Sequence, residues 1–201
     1  MTMREEAEEM IRRAIRDVQP DEAVNAALRD LELPEGRVVA VAFGKAAWQM
    51  AKAASDALGD KLEEGIVITK YGHSRGEIPG FQIFEAGHPV PDGNSFQATA
   101  RAVALTESLT AQDLVLLLIS GGGSALFELP LCSEEDLRDV TKQLLACGAS
   151  IGEINMIRKR LSRVKGGRFA RMCLPARVFA VVLSDVLGDR LDMIASGPAW
   201  G

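Results

Sequence analysis

Three glycines between two serines, Ser120-Gly121-Gly122-Gly123-Ser124, form the stretch whose chemistry is easiest to name. Glycine lets the backbone turn sharply and leaves its N–H groups uncovered. The flanking hydroxyls add donors. Such a loop after a buried strand suits an anion, commonly a phosphate. A tight turn packed on a neighbouring strand is the other use of the same residues. Neither the Walker pattern nor G-x-G-x-x-G is present, so the loop alone does not name a reaction. Lys45 follows Gly44 at a predicted strand-to-helix junction. A cation there is unfavourable against the helix dipole unless an anion meets it. Lys165-Gly166-Gly167 offers a second pairing of cation and bare backbone. Asp185 and Asp189, four residues apart beyond a predicted strand, suit a Mg²⁺ site or a general base, or else an Asx-turn and a helix cap. His88, in the Pro-rich stretch 87–95, either contacts ligand or braces its loop. Asn155, Arg158, Lys159, Ser162 and Lys165 form polar stripes opposite Ile154, Ile157, Leu161 and Val164, and such stripes are either solvated or turned to a ligand.

The elements that must position these groups follow from periodicity. Residues 37–43, 65–69, 113–119 and 178–183 are short apolar runs of the kind buried on both faces of a parallel sheet. Residues 81–86 alternate, which suggests an edge or antiparallel strand. Helical spacing marks 3–18, stopped by Pro20, and again Val24, Ala27, Leu28 and Leu31. These two helices, residues 1–35, are expected to pack on the main domain as a cap. Further helices are expected over 46–58, from an Asn94 or Ser95 cap to about 109, from a Ser133 cap to about 147, and around 154–164. Alternation of strand and helix from residue 37 onward predicts an α/β fold, a three-layer α/β/α Rossmann-like domain with a mainly parallel sheet over 36–201.

Composition narrows the function. The 201 residues are 47% apolar, enough for a packed core, and carry 23 basic against 28 acidic residues. There is no basic patch with interleaved aromatics, so nucleic acid is not an expected partner. No apolar run is long enough to span a membrane, and the charged N-terminus lacks a signal peptide's apolar centre. Cys132, Cys147 and Cys173 have no metal-type spacing and read as reduced thiols, so a cytoplasmic location is expected.

Several segments occur together in a fixed order. They are Ala42-Phe43-Gly44-Lys45-Ala46-Ala47, Gly87-His88-Pro89-Val90-Pro91-Asp92, Ser120-Gly121-Gly122-Gly123-Ser124-Ala125-Leu126, Glu153-Ile154-Asn155 with Arg158-Lys159, Leu161-Ser162 with Lys165-Gly166-Gly167, and Leu183-Ser184-Asp185-Val186-Leu187-Gly188-Asp189 running into Ile194-Ala195-Ser196-Gly197-Pro198. Over roughly residues 36–198 the chain resembles the N-terminal domain of the type II glycerate kinase family. The resemblance implies ATP- and Mg²⁺-dependent phosphorylation of D-glycerate to 2-phosphoglycerate, in a cleft between two α/β domains. On that basis Ser120, Gly121, Gly122, Gly123 and Ser124 would hold phosphate. Lys45 would neutralise it or hold the glycerate carboxylate. Asp185 or Asp189 would take the metal or orient the hydroxyl, and His88, Asn155, Arg158 and Lys165 would face substrate. Arg160 stands where many members carry His. Members continue into a second, C-terminal domain that this chain lacks, so the chain is expected to need that domain for activity and to expose a face near the glycine loop, with homo-oligomerisation through that face left open. A non-catalytic anion-binding module and a dehydrogenase such as hydroxypyruvate reductase are the alternatives. The dehydrogenase would want G-x-G-x-x-G after the first strand and an acid after the second, where Lys70 stands.

Overall fold

Apolar side chains without interruption leave a strand no solvent face, and two strands of this kind lie at the centre of the sheet. In the computed structural model, which describes residues 2–184, 188 and 190–200, the five strands are β1 (Val38–Phe43), β2 (Leu62–Lys70), β3 (Phe81–Ala86), β4 (Leu114–Ile119) and β5 (Arg177–Val182). Every residue of β1 and β4 is buried. The order is β3-β2-β1-β4-β5, and all four pairings are parallel. The antiparallel alternative for residues 81–86 is therefore corrected: β3 is a parallel edge strand, in register with β2 from Gly65–Phe81 to Lys70–Ala86. The chain runs outward from β1 to β3, then returns to lay β4 on the other side of β1. That reversal opens a crevice at the strands' carboxyl ends between β1 and β4.

Alternate side chains feed two cores. Val39, Val41 and Phe43 pack with Val115, Leu117 and Ile119 on one face, under α4 (Gly93–Thr106), while Val38, Ala40 and Ala42 pack with Leu114, Leu116 and Leu118 on the other, under α3 (Ala47–Leu58). Phe127 stacks on Phe43, with ring centroids 4.2 Å apart, and meets Phe169 edge-on at 4.9 Å. This second contact ties the segment after the glycine loop to the first core. Cys173 lies in the same core, and burial pushes its thiol up to about 12. No disulfide joins the three cysteines.

The two N-terminal helices differ. α2 (Pro20–Arg29) buries Pro20, Val24 and Leu28 against α3. α1 (Met3–Asp17) is closed by a Thr2–Glu5 capping box but buries no residue, and Met10, Ile11 and Ile15 on its apolar side stay exposed. The cap of α4 is Asp92 rather than Asn94 or Ser95. Asp92 is the last extended residue, and its carboxylate accepts the Ser95 N–H while Ser95 Oγ accepts the Asp92 N–H. After β4 come α5 (Gly123–Leu126), α6 (Glu134–Ala146), α7 (Ile151–Arg160) and α8 (Arg168–Met172). Ser133 caps α6, as its sequence suggests. α7 ends at Arg160, so Ser162 and Lys165 do not continue its polar stripe. No helix among the described residues is long and apolar enough to cross a membrane.

Candidate anion site at the switch point

The ends of β1 and β4 are locked together beyond the strands. Ser120 N–H donates to the Phe43 carbonyl at 3.0 Å, Lys45 N–H to Gly121 at 2.9 Å, and Ala46 N–H to Ser120 Oγ at 3.1 Å. Gly44 has φ 122°, and a Cβ there would lie 2.2 Å from Ser120 Oγ, so only glycine lets the loops approach this closely. Ser120 is thereby a buried strut at the start of α3. It holds Lys45 on the crevice rim, exposed, with the Lys45 carbonyl facing His73 Nδ1 at 3.1 Å.

Gly122 is the meeting point. Its φ is 88°, and a Cβ built there would lie 3.0 Å from the His88 ring and 3.2 Å from Lys45 Cε. Lys45, His88 and the second glycine therefore converge, although Lys45 and Gly122 lie 77 positions apart in the chain. The N–H groups of Gly121, Gly122 and Ser124 donate to no acceptor among the described residues. Free donors beside a cation and an imidazole are what a small anion needs. The field is positive: burial, then Lys45, Lys70 and His73, push His88 below the ordinary histidine range. Lys45, Lys70, His73 and His88 have no ion-pair partner among the described residues. Lys45 also lines a cavity of about 260 Å³ with Trp48, Gln49, His73 and Arg75.

The loops bearing His73 and His88 are braced. Tyr71 donates to Asp92 Oδ2 at 2.8 Å, Asn94 donates to Tyr71 Oη at 3.0 Å and to the Glu85 carbonyl at 3.1 Å, and Ser74 N–H donates to Glu85 Oε1 at 2.9 Å. These bonds to Asp92 and Glu85 hold both carboxyls below their ordinary range, against the opposing effect of burial, which is the largest single influence on Asp92.

Other candidates lie elsewhere. Gly123 is packed shut, since its Cβ would fall 2.7 Å from Ala195 Cβ. Ser124 Oγ lies 2.9 Å from Ser196 Oγ. Ala195 and Ser196 hold positive φ of 51° and 63°, an uncommon conformation for non-glycine residues. Carbonyls 196 and 197 accept the Gly166 and Gly167 N–H groups at 3.0 and 2.7 Å. The two glycine N–H groups of Lys165-Gly166-Gly167 are therefore taken and are not bare donors for an anion, which corrects that reading. Lys165 itself is fully buried, donating to the Phe127 carbonyl at 3.1 Å and to Glu128 Oε2 at 2.6 Å, so it faces the interior and not the crevice. Arg158 is largely buried and donates to the Ser124 carbonyl at 3.1 Å. Asn155 is buried on the same helix. Asp185 and Asp189 lie outside the described residues. Among the described residues no cluster of three His, Cys, Asp or Glu side chains could hold a metal. The sequence reading missed His73, Lys70 and Glu128. A lone acid in the apolar run Ala125-Leu126-Phe127-Glu128-Leu129-Pro130 is the one signal that could have pointed to a buried ion pair.

The family described as a domain of unknown function, DUF4147, matches residues 6–201. The chain belongs to this family. It is 58% identical over 194 residues to the D-glycerate 2-kinase of Thermotoga maritima, covering 96% of this chain and 46% of that protein. It is 46% identical over 166 residues to the glycerate 2-kinase of Pyrococcus horikoshii, covering 82% and 37%. The crystal structure of the Thermotoga maritima glycerate kinase superposes with a TM-score of 0.92, over 96% of this chain and 47% of that one. The chain thus spans about half the length of the relatives it matches, and its α/β fold is theirs.

Proposed function

We propose that the chain is the phosphate- and substrate-holding domain of an ATP-dependent glycerate 2-kinase, which phosphorylates D-glycerate to 2-phosphoglycerate. The observation that carries this reading is the convergence of Lys45, His88 and the free N–H groups around Gly122 at the switch point of the sheet. Phosphoryl transfer asks the protein for position and charge compensation more than for covalent chemistry. The glycine loop holds a phosphate through backbone donors. Lys45 neutralises the transferring group or holds the glycerate carboxylate, and His88 borders the same space. ATP brings the phosphoryl group, and Asp185 or Asp189 is the proposed holder of Mg²⁺ or of the attacking hydroxyl. Lys165 and Arg158, drawn inward by Glu128 and the loop carbonyls, support the loop. Activity is assigned to this domain together with a second, C-terminal domain, because closure over the crevice excludes water and completes the set of reacting groups.

A coupled assay with ATP, Mg²⁺ and D-glycerate tests the reading, run on the 201-residue chain and on a form carrying the second domain. Turnover is expected only in the longer form, and Lys45→Ala should lower it by about 10²–10³-fold, the usual cost of one preorganised charge-stabilising group. Unchanged turnover in that variant would remove Lys45 from the chemistry. Nicotinamide oxidation with hydroxypyruvate would support the reductase instead, although Lys70 at the end of β2 is unsuited to a ribose hydroxyl.

A further inference from the structure

Behind the glycine loop lies a charged cluster that the proposed reaction does not use. Glu128 and Lys165 have side-chain exposures of 1% and 0%. Two backbone bonds, Leu131 N–H to Leu161 O and Arg163 N–H to Leu129 O, both 2.8 Å, zip the segment after Glu128 to the segment before Lys165 and set the pair face to face. The Glu128 backbone is fixed from α4, its N–H donating to buried Thr99 Oγ1 at 3.1 Å. Lys165 spends one N–H on Glu128 and another on the Phe127 carbonyl. Arg158 spends one on the Ser124 carbonyl, and its buried Nε and Glu128 Oε1 have no partner among the described residues.

A buried ion pair is a poor device for stability alone, since apolar side chains of similar volume commonly do as well or better. Its distinctive property is direction, because in a low-dielectric interior a charged donor fixes the group that accepts it. Here the two carbonyls so fixed, Ser124 and Phe127, belong to the turn that follows the free N–H groups of the anion loop. We propose that Glu128 is a positioning residue for that loop: through Lys165 and Arg158 it fixes the Phe127 and Ser124 carbonyls, and so aims the N–H groups of Gly121, Gly122 and Ser124 into the crevice. The role rests on the reading of this loop as an anion site. Burial brings the Lys165 ammonium down to about 8 although Glu128 opposes the shift, with Arg158 adding to the depression, so in mildly alkaline solution the ammonium gives way to a neutral amine and the brace weakens.

The test compares the wild-type chain with the double variant Glu128→Met/Lys165→Met, which removes both charges and keeps apolar bulk. Three quantities are read: the melting temperature, the affinity for inorganic phosphate by calorimetry, and the amide resonances of residues 121–124 from pH 6.5 to 9.5. A positioning role gives a melting temperature near or above wild type, phosphate affinity at least about tenfold weaker, displaced loop amides, and loss of a wild-type titration of those amides centred near pH 8. Wild-type affinity together with unmoved loop amides would overturn it. If the wild type itself binds no phosphate, the anion-site reading fails, and the loop amides alone still decide whether the brace aims the loop. If the double variant does not fold, Glu128→Gln is read by the same amides: displacement supports the role and its absence overturns it.

Discussion

Two sets of cations flank the glycine loop, and the fold treats them oppositely. On the crevice side Lys45 is exposed, with Lys70, His73 and His88 near it and no carboxylate paired to any of them among the described residues. On the core side Lys165 is fully buried against Glu128, and Arg158 is largely buried against a carbonyl. Lys45 and Lys70 are positive charges with no ion-pair partner among the described residues, and like charges gathered so weaken a fold, so the crevice set makes physical sense as a ligand's counter-charge. The buried set already has its counter-charge and serves the backbone. Sequence type alone does not separate the two, since each has a lysine next to glycine.

The largest effect that could break this contrast concerns Glu128→Ala. Removing the carboxylate leaves Lys165 buried and uncompensated, and should cost about 3–5 kcal/mol in urea unfolding. Lys45→Ala should stay within about 0.5 kcal/mol of wild type, as expected of an exposed side chain. Equal losses would erase the distinction. Next in size is Gly122→Ala. Its φ of 88° costs roughly 1–2 kcal/mol for an L-residue, and its Cβ would press on His88 and Lys45. Thermal melts and phosphate titration should both register it, whereas the same substitution at Gly148, where the added Cβ meets nothing, should leave phosphate affinity unchanged.

A smaller effect is pH dependence at His88. Its folded pKa is depressed, first by burial and then by Lys45, Lys70 and His73, so below about 6.5 the unfolded chain binds more protons than the folded one. Stability should therefore fall as pH drops through that range, and His88→Asn should flatten the fall in melts between pH 5 and 7.5. An anion between Lys45 and His88 favours the protonated ring, so its binding should take up protons, measurable as a buffer-dependent calorimetric enthalpy. The smallest effect is deletion of residues 2–18. α1 buries no side chain, so the melt should be nearly unchanged, while the same deletion extended through α2 uncovers Met50 and Ala54 and should lower it clearly.

Much of this was legible in the sequence, and what was not has physical causes. β1 and β4 announce themselves because a fully buried strand needs no polar alternation. The cap at Asp92 was misplaced by two to three residues because Asp, Asn and Ser all serve as caps, and only the change from extended to helical backbone selects one. Lys165-Gly166-Gly167 resembles the anion loop locally. What disqualifies it is a pair of carbonyls at 196 and 197, some thirty residues away, that take its N–H groups. Glu128 and Lys165 meet only through the bridge between Pro130 and Ser162, which no local pattern encodes.

Calorimetric titration of the wild-type chain and Lys45→Ala with ADP and with inorganic phosphate decides whether the crevice holds an anion. Phosphate binding is expected in the wild type, with at least about a tenfold loss in the variant, which stays folded and as stable as the parent. Equal affinity in both would contradict the assignment of the Lys45–Gly122–His88 crevice as the anion site.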